Sequence, residues 1–193
     1  MSDTQNAAVW FIDLAWVAWA VTWVALSRGV KPVARRESRV SRALHIAPLV
    51  VVAALLGAGG YSGHALADPL LPRAGWMTPA GAALVAAGLG FAVWARLVIG
   101  TNWSGTVTVK QAHALIQTGP YALARHPIYT GLLTAFLGTA IAIDAWRGVL
   151  ALALASFAFL RKMRTEEAFM IETFGAAYTS YRARTAALVP FVW

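Results

Sequence analysis

GPYALARHPIYTGLLTAFLGTAIAIDAW, Gly119 to Trp146, passes from a polar turn into an apolar run and out again. Gly119-Pro120 marks the turn. Arg125, His126 and Tyr129 then crowd the mouth of the run. Pro127 suits the first turn of a helix, where its missing N–H costs nothing. Pro127 to Ile143 is apolar, Asp144-Ala145 interrupts it, and Trp146 to Leu160 is apolar again. Each run falls slightly short of the roughly 20 residues of a membrane span, and the two-residue break predicts a tight helical hairpin. A compact polar cluster beside a membrane segment is costly to keep, so it reads as a working site.

Upstream, three longer hydrophobic segments run from about Val9 to Leu26, Leu44 to Leu66 and Met77 to Ile99. With the hairpin they make an all-α integral membrane bundle of five transmembrane helices, one domain over 1–193. Residues 1–100 hold the three N-terminal spans, and 101–193 the region of the polar motifs. Downstream, Arg161 to Phe174 keeps helical spacing and Gly175 suits a C-cap. Tyr178 and Tyr181 share one face of a final short helix that Pro190 ends. This is a helical extension beyond the membrane. Between the third and fourth spans, Thr106 to Lys110 alternates like a short extended segment.

Composition agrees. The 193 residues are 59% hydrophobic and only 12% charged, against roughly 25% charged in soluble domains. Mean hydropathy is +0.62. The net charge of +8 is explained by topology rather than nucleic acid. Arg28, Lys31, Arg35, Arg36, Arg39 and Arg42 fill the first loop, and most other basic residues fall on the same face. The positive-inside rule then puts the N-terminus outside and the C-terminus in the cytoplasm; the expected setting is a bacterial inner membrane. Every Asp lies toward the outer face and every Glu toward the inner one. No basic residue precedes the first apolar run, so it does not read as a signal peptide. The absence of cysteine removes disulfides, thiolate metal sites and a cysteine nucleophile. His45, His64, His113 and His126 show no metal-ligand spacing, so no metal is expected.

Gly57, Gly59, Gly60 and Gly63 imitate a nucleotide-binding string, but they lie in an apolar helix with no strand before them. They read as helix-packing residues, as do Gly81, Gly88 and Gly90. The nine tryptophans cluster near span ends, which suits interface anchoring for most. Lys162 and Glu166 are four apart on one helix face, and Glu167 follows. A carboxylate near Arg125 suits a ligand that carries both signs of charge.

Five parts in order now carry a resemblance: His113-Ala-Leu-Ile116; Gly119-Pro-Tyr121; Arg125-His-Pro-Ile-Tyr129 with Gly131; Glu166-Glu167; and Phe174-Gly175 with Tyr178 and Tyr181 before Pro190. Over roughly the last 85 residues the chain resembles the isoprenylcysteine carboxyl methyltransferases, within the wider group that includes phospholipid N-methyltransferases. The resemblance implies a membrane methyltransferase using S-adenosyl-L-methionine. His113, Ala114, Leu115, Ile116, Gly119, Tyr121, His126, Pro127, Ile128, Tyr129 and Glu166 would form the cofactor pocket. Arg125, Glu166 and Glu167 are the catalytic candidates. The family's acceptor-carboxylate site uses an arginine one turn before the first Glu; here Lys162 stands there, with Arg164 nearby. Lys162 and Arg164 are the substrate-binding candidates, and a Lys is the poorer bidentate partner. The expected acceptor is a lipophilic or lipid-linked carboxylate reached from the membrane lipids. A phospholipid, another amine or a thiol is the alternative, as is a non-catalytic binding protein of the same fold.

Overall fold

The structure, a computed structural model, describes residues 3–28, 30, 33–57, 65–72, 74–103, 108–110 and 114–189, with backbone alone at 33–36 and 108–110. Seven helices are described: α1 (Asp3–Leu26), α2 (Arg39–Gly57), α3 (Met77–Ile99), α4 (Pro120–Leu123), α5 (Pro127–Ile143), α6 (Trp146–Phe174) and α7 (Ala176–Arg184). The bounds of α3 and α5 are those read from the sequence. α1 and α2 begin earlier than expected, at Asp3 and Arg39. The described part of α2 ends at Gly57, and residues 65–67 form one turn of 3₁₀ helix. His64, Gly59, Gly60, Gly63, His113 and Pro190 lie outside the described residues.

The all-α class holds, with one short strand pair added to it. β1 (Val33–Arg36) pairs antiparallel with β2 (Thr108–Lys110). The alternation at Thr106 to Lys110 foretold β2, but β1 lies inside the loop read only as basic. Two loops leaving the bundle together satisfy their backbone groups on each other.

The helices pack in the order α1–α3–α5–α6–α2, with α3 and α5 the most extensive pair. Glycines set that approach. A Cβ on Gly88 would lie 2.4 Å from the Gly131 carbonyl oxygen, and one on Gly81 would lie 2.4 Å from that of Gly138. The reverse pairs are as tight, so the backbones touch as small-residue packing requires. Gly90 has nothing within 4 Å of its would-be Cβ; the packing role expected for it is corrected.

Helix ends are tied by arginines. Buried Arg96 donates to the Gly100 carbonyl at 2.8 Å and to that of Leu26, closing the C-terminal ends of α3 and α1, where a cation is favoured. Arg147 and Arg161, one near each end of the apolar part of α6, donate to the α2 carbonyls of Leu55 (2.9 Å) and Ser41 (3.1 Å). Asp144, left-handed at φ 45°, stops α5, and extended Ala145 launches α6. Gly175, at φ 52°, turns α6 into α7. α1, α2 and the helical stretch from Met77 to Asn102 are long and apolar enough to cross a membrane, and α5 is a shorter apolar helix.

Candidate functional site

The segment before α5 is held by the chain's distant end. α7 stops at Arg184, short of the Pro190 expected to end it, and the next residues run beside the start of α5. Arg125 N–H donates to the Ala186 carbonyl at 2.8 Å and His126 N–H to that of Ala187 at 3.0 Å. Thr130 Oγ1 donates to the Leu188 carbonyl at 2.7 Å. These bonds give partners to amides that neither α4 nor α5 can supply, as helix starts demand. Tyr181 Oη closes the same corner on the Tyr121 carbonyl at 2.6 Å.

On this frame the side chains of α5 meet those of α6. Tyr129 Oη donates to Glu166 Oε1 at 2.7 Å. His126 lies between two carboxylates, with Nε2 3.2 Å from Glu167 Oε1 and Nδ1 3.6 Å from Glu166 Oε2. Arg125 Nε donates to Glu167 Oε1 at 2.8 Å, and its Nη1 to the carbonyls of Thr185 and, at 3.2 Å, Arg182. Arg182 Nε lies 3.3 Å from Glu167 Oε2. Lys162 Nζ is 3.9 Å from Glu166 Oε1 and 5.5 Å from the centre of the Tyr129 ring. That ring stacks between His126 and Phe159, at 5.6 and 4.8 Å.

Burial alone would raise both carboxyls, but the hydrogen bonds and charges around them, His126 foremost, together outweigh it, and both end below their usual value. At Glu167 Arg125 adds to this and the carboxyl falls to about 2. Burial alone would lower the imidazole of His126; its hydrogen bonds with Glu166 and Glu167 raise it instead. Burial pushes the Tyr181 hydroxyl up to about 12. The cluster is thus a set of charges in mutual support.

A cavity of about 720 Å³ opens against one side of it. Ala114, Leu115, Ile116, Tyr121, Arg125, His126, Pro127, Ile128, Tyr129, Lys162 and Glu166 line it among the expected site residues. Three do not. Glu167, one helix position from Glu166, points about 100° away and holds Arg125, His126 and Arg182 from behind the cavity wall. Gly119 shapes the turn at φ 58°. Arg164 is exposed on another face of α6 and does not line the cavity. Arg125 reaches the cavity with its guanidinium already engaged.

The sequence reading missed the opposite wall. Trp16, Trp19 and Trp23 of α1 and Trp103 line the cavity, in ring contacts of 5.7, 4.9 and 5.4 Å along that series. Interface anchoring, expected for most tryptophans, does not account for this shared wall. Their signal was available: positions 16, 19 and 23 share one helical face. Leu49, Val52 and Leu56 of α2, with Phe136 and Phe159, complete an apolar wall.

A model of the phospholipid methyltransferase family matches residues 76–177, the stretch that carries α3, α5, α6 and their charged cluster. This chain belongs to that family. Among curated relatives, the protein-S-isoprenylcysteine O-methyltransferase of Schizosaccharomyces pombe is 31% identical over 101 residues, 51% of this chain and 43% of its own. The rat protein of that name is 29% identical over 127 residues, 64% of this chain and 45% of its own. Protein-S-isoprenylcysteine O-methyltransferase A of Arabidopsis thaliana is 27% identical over 144 residues, 73% of each. The chain thus spans under half the length of the first two. A solved eukaryotic intramembrane Ras methyltransferase, the isoprenylcysteine carboxyl methyltransferase, superposes with TM-score 0.57 at 21% identity, over 79% of this chain and 52% of that one. The fold is shared. With its apolar helices, this phospholipid methyltransferase family member is an integral membrane protein.

Proposed function

We propose that this chain transfers the methyl group of S-adenosyl-L-methionine to a lipophilic carboxylate in the membrane. One observation carries the reading: Tyr129, His126 and Glu166 converge at one end of a cavity whose opposite wall is mostly indole and aliphatic side chains. Its volume lies in the range of small-molecule sites, roughly 300–1,000 Å³. In this reading five spans, with α5 and α6 as a hairpin, put the cluster at the cytoplasmic face, where a water-soluble donor arrives. The acceptor enters from the lipid.

The residues fit such a donor. Ala114 to Ile116, Tyr121 and His126 to Tyr129 form its walls, and Glu166 offers a carboxylate to its ammonium or sulfonium charge. The donor supplies an electrophilic methyl carbon on a positive sulfur. Lys162 holds the acceptor carboxylate, taking the place that Arg125 cannot fill while bound to Glu167 and two carbonyls. A carboxylate oxygen forms the new O–C bond as the S–C bond breaks, and the leaving thioether is neutral. Opposite charges cancel, so a water-poor wall favours the step. No proton moves, and the protein's task is alignment, worth up to about 7–11 kcal/mol in effective molarity. Glu167, Arg125 and His126 position Glu166.

Purified protein in detergent, given methyl-labelled donor with a prenylcysteine analogue or with phospholipid extract, tests this. Base-labile methyl ester on the analogue is expected. Label only in phosphatidylethanolamine would establish the amine reading, which the engaged guanidinium of Arg125 leaves open. No donor binding by calorimetry would leave a non-catalytic binding protein.

A further inference from the structure

A second cavity, of about 380 Å³, lies at the other end of the bundle. It shares Ile12, Asp13, Leu56, Gly57 and Thr139 with the first, so the two chambers meet at a waist. Beyond that waist the lining turns polar again, with Asp13, Thr78, Asp144 and Arg147. Asp144 is 7% exposed. Its Oδ1 accepts the Leu71 amide at 3.2 Å, but its Oδ2 is buried without a hydrogen-bond partner among the described residues. An unmatched buried carboxylate oxygen is costly, and Asp144 lines the chamber, where a turn of its side chain would offer that oxygen to a donor. Asp13 adds a second carboxylate at the waist, ten residues into α1, where a span rarely carries a charge. Arg147 brings one positive charge and is held by the Leu55 carbonyl.

We propose that this outer chamber binds the far end of the acceptor, and that this end carries a hydrogen-bond donor, an ammonium or a hydroxyl. The inference rests on the methyl-transfer reading for what enters the first chamber. The acceptor then has two polar ends. Its reacting carboxylate sits at Lys162 and Glu166, its apolar middle passes Phe136 and Leu56, and its donor group meets Asp13 and Asp144. Fifteen positions of α5 and its cap separate Tyr129 from Asp144, a reach of about 22 Å along the helix. Thr139 narrows the path from α5 and is itself engaged, accepting from Trp16 Nε1 at 3.0 Å and donating to the Ala135 carbonyl at 2.9 Å. The two aspartates remain to select the incoming end.

Calorimetry in detergent with palmitate, its ω-hydroxy derivative and its ω-amino derivative tests this without requiring turnover. The ω-amino chain is expected to bind about tenfold more tightly than palmitate, as one charge-assisted hydrogen bond implies. In Asp144→Asn, and separately in Asp13→Asn, that ratio should fall toward one. The side-chain amide introduced by Asp144→Asn keeps an acceptor for the Leu71 N–H, and circular dichroism checks folding. If Asp144→Asn does not fold, Asp13→Asn decides alone. Equal binding of the three chains by the wild-type protein, or an unchanged ratio in the variants, overturns the proposal. Failure of both the prenylcysteine and the phospholipid assays, with this preference intact, overturns the methyl-transfer reading and leaves the chamber standing.

Discussion

The two walls of the main cavity are built by opposite means. One is a charged cluster, closed by residues 185–188 and carried on α5, α6 and α7. The other is a row of indoles and aliphatic side chains on α1 and α2. The first wall is held by pairwise bonds of 2.7–3.3 Å, so losing one partner strands another. The second is held by area and shape, so single losses are absorbed. Chemistry should therefore fail sharply at the first wall and gradually at the second.

Glu166→Ala should produce the largest break. It frees Tyr129 Oη and Lys162 Nζ together and removes the cavity's only lining carboxylate at that end among the described residues. Removing one member of a buried ion pair costs about 3–5 kcal/mol of stability; Glu166 is a quarter exposed, so about 3 kcal/mol is expected in a melt, and loss of its charge-assisted bond to the donor should weaken donor binding roughly 10- to 100-fold. Single-turnover transfer and donor calorimetry would measure it. A variant that turned over normally would remove Glu166 from the site.

The same wall should carry the pH dependence of stability. Glu167 sits at about 2 against 4.5 unfolded, so its contribution is complete above pH 4.5 and is lost as pH falls toward 2. His126 is raised above 6.5, so its contribution is complete below pH 6.5 and is lost as pH rises through its folded value. Stability should thus plateau between about pH 4.5 and 6.5, with an acid loss of up to about 3 kcal/mol from Glu167. Thermal melts across pH read this directly. Glu167→Gln should flatten the acid limb; an unchanged limb would show that the cluster does not form.

The charged wall was the more legible in sequence, and the reason is physical. Polar residues such as Arg125, His126 and Tyr129 stand out beside Pro127 to Ile143 because few explanations tolerate their cost there. Glu166 could be assigned to the pocket, but the partners of Glu167 could not be read, since adjacent helix positions face different neighbours. Indoles at 16, 19 and 23 satisfy both a lipid interface and a cavity, so composition alone did not decide. The pairing of β1 with β2, and of 186–187 with 125–126, joins segments far apart in the chain and leaves no local pattern. Gly88 and Gly90 look alike until the neighbouring helix is known.

That last pair sharpens the comparison for the helical scaffold. Gly88→Ala puts a methyl group against the Gly131 backbone and should destabilise by about 1–3 kcal/mol, as overpacking does. Gly90→Ala meets open space and should be neutral or slightly stabilising, by less than about 1 kcal/mol. Melting temperatures in one detergent compare them. Equal effects would mean that α3 and α5 do not meet at their glycines.

The smallest effect on turnover is expected at the indole wall, from Trp16→Phe. The change keeps a ring against Phe136, now 5.0 Å away and stacked, and removes only the N–H to Thr139. Thr139 still donates to Ala135, so no buried group is stranded and the loss should be about 1 kcal/mol. That corresponds to roughly a fivefold rise in acceptor KM, with donor affinity unmoved. Trp10→Phe is the matched control, because Trp10 is 69% exposed and does not line the cavity. If both variants left KM alone, α1 would serve only as a membrane anchor. If Trp16→Phe instead weakened donor binding, the two walls would act on one ligand rather than dividing two between them.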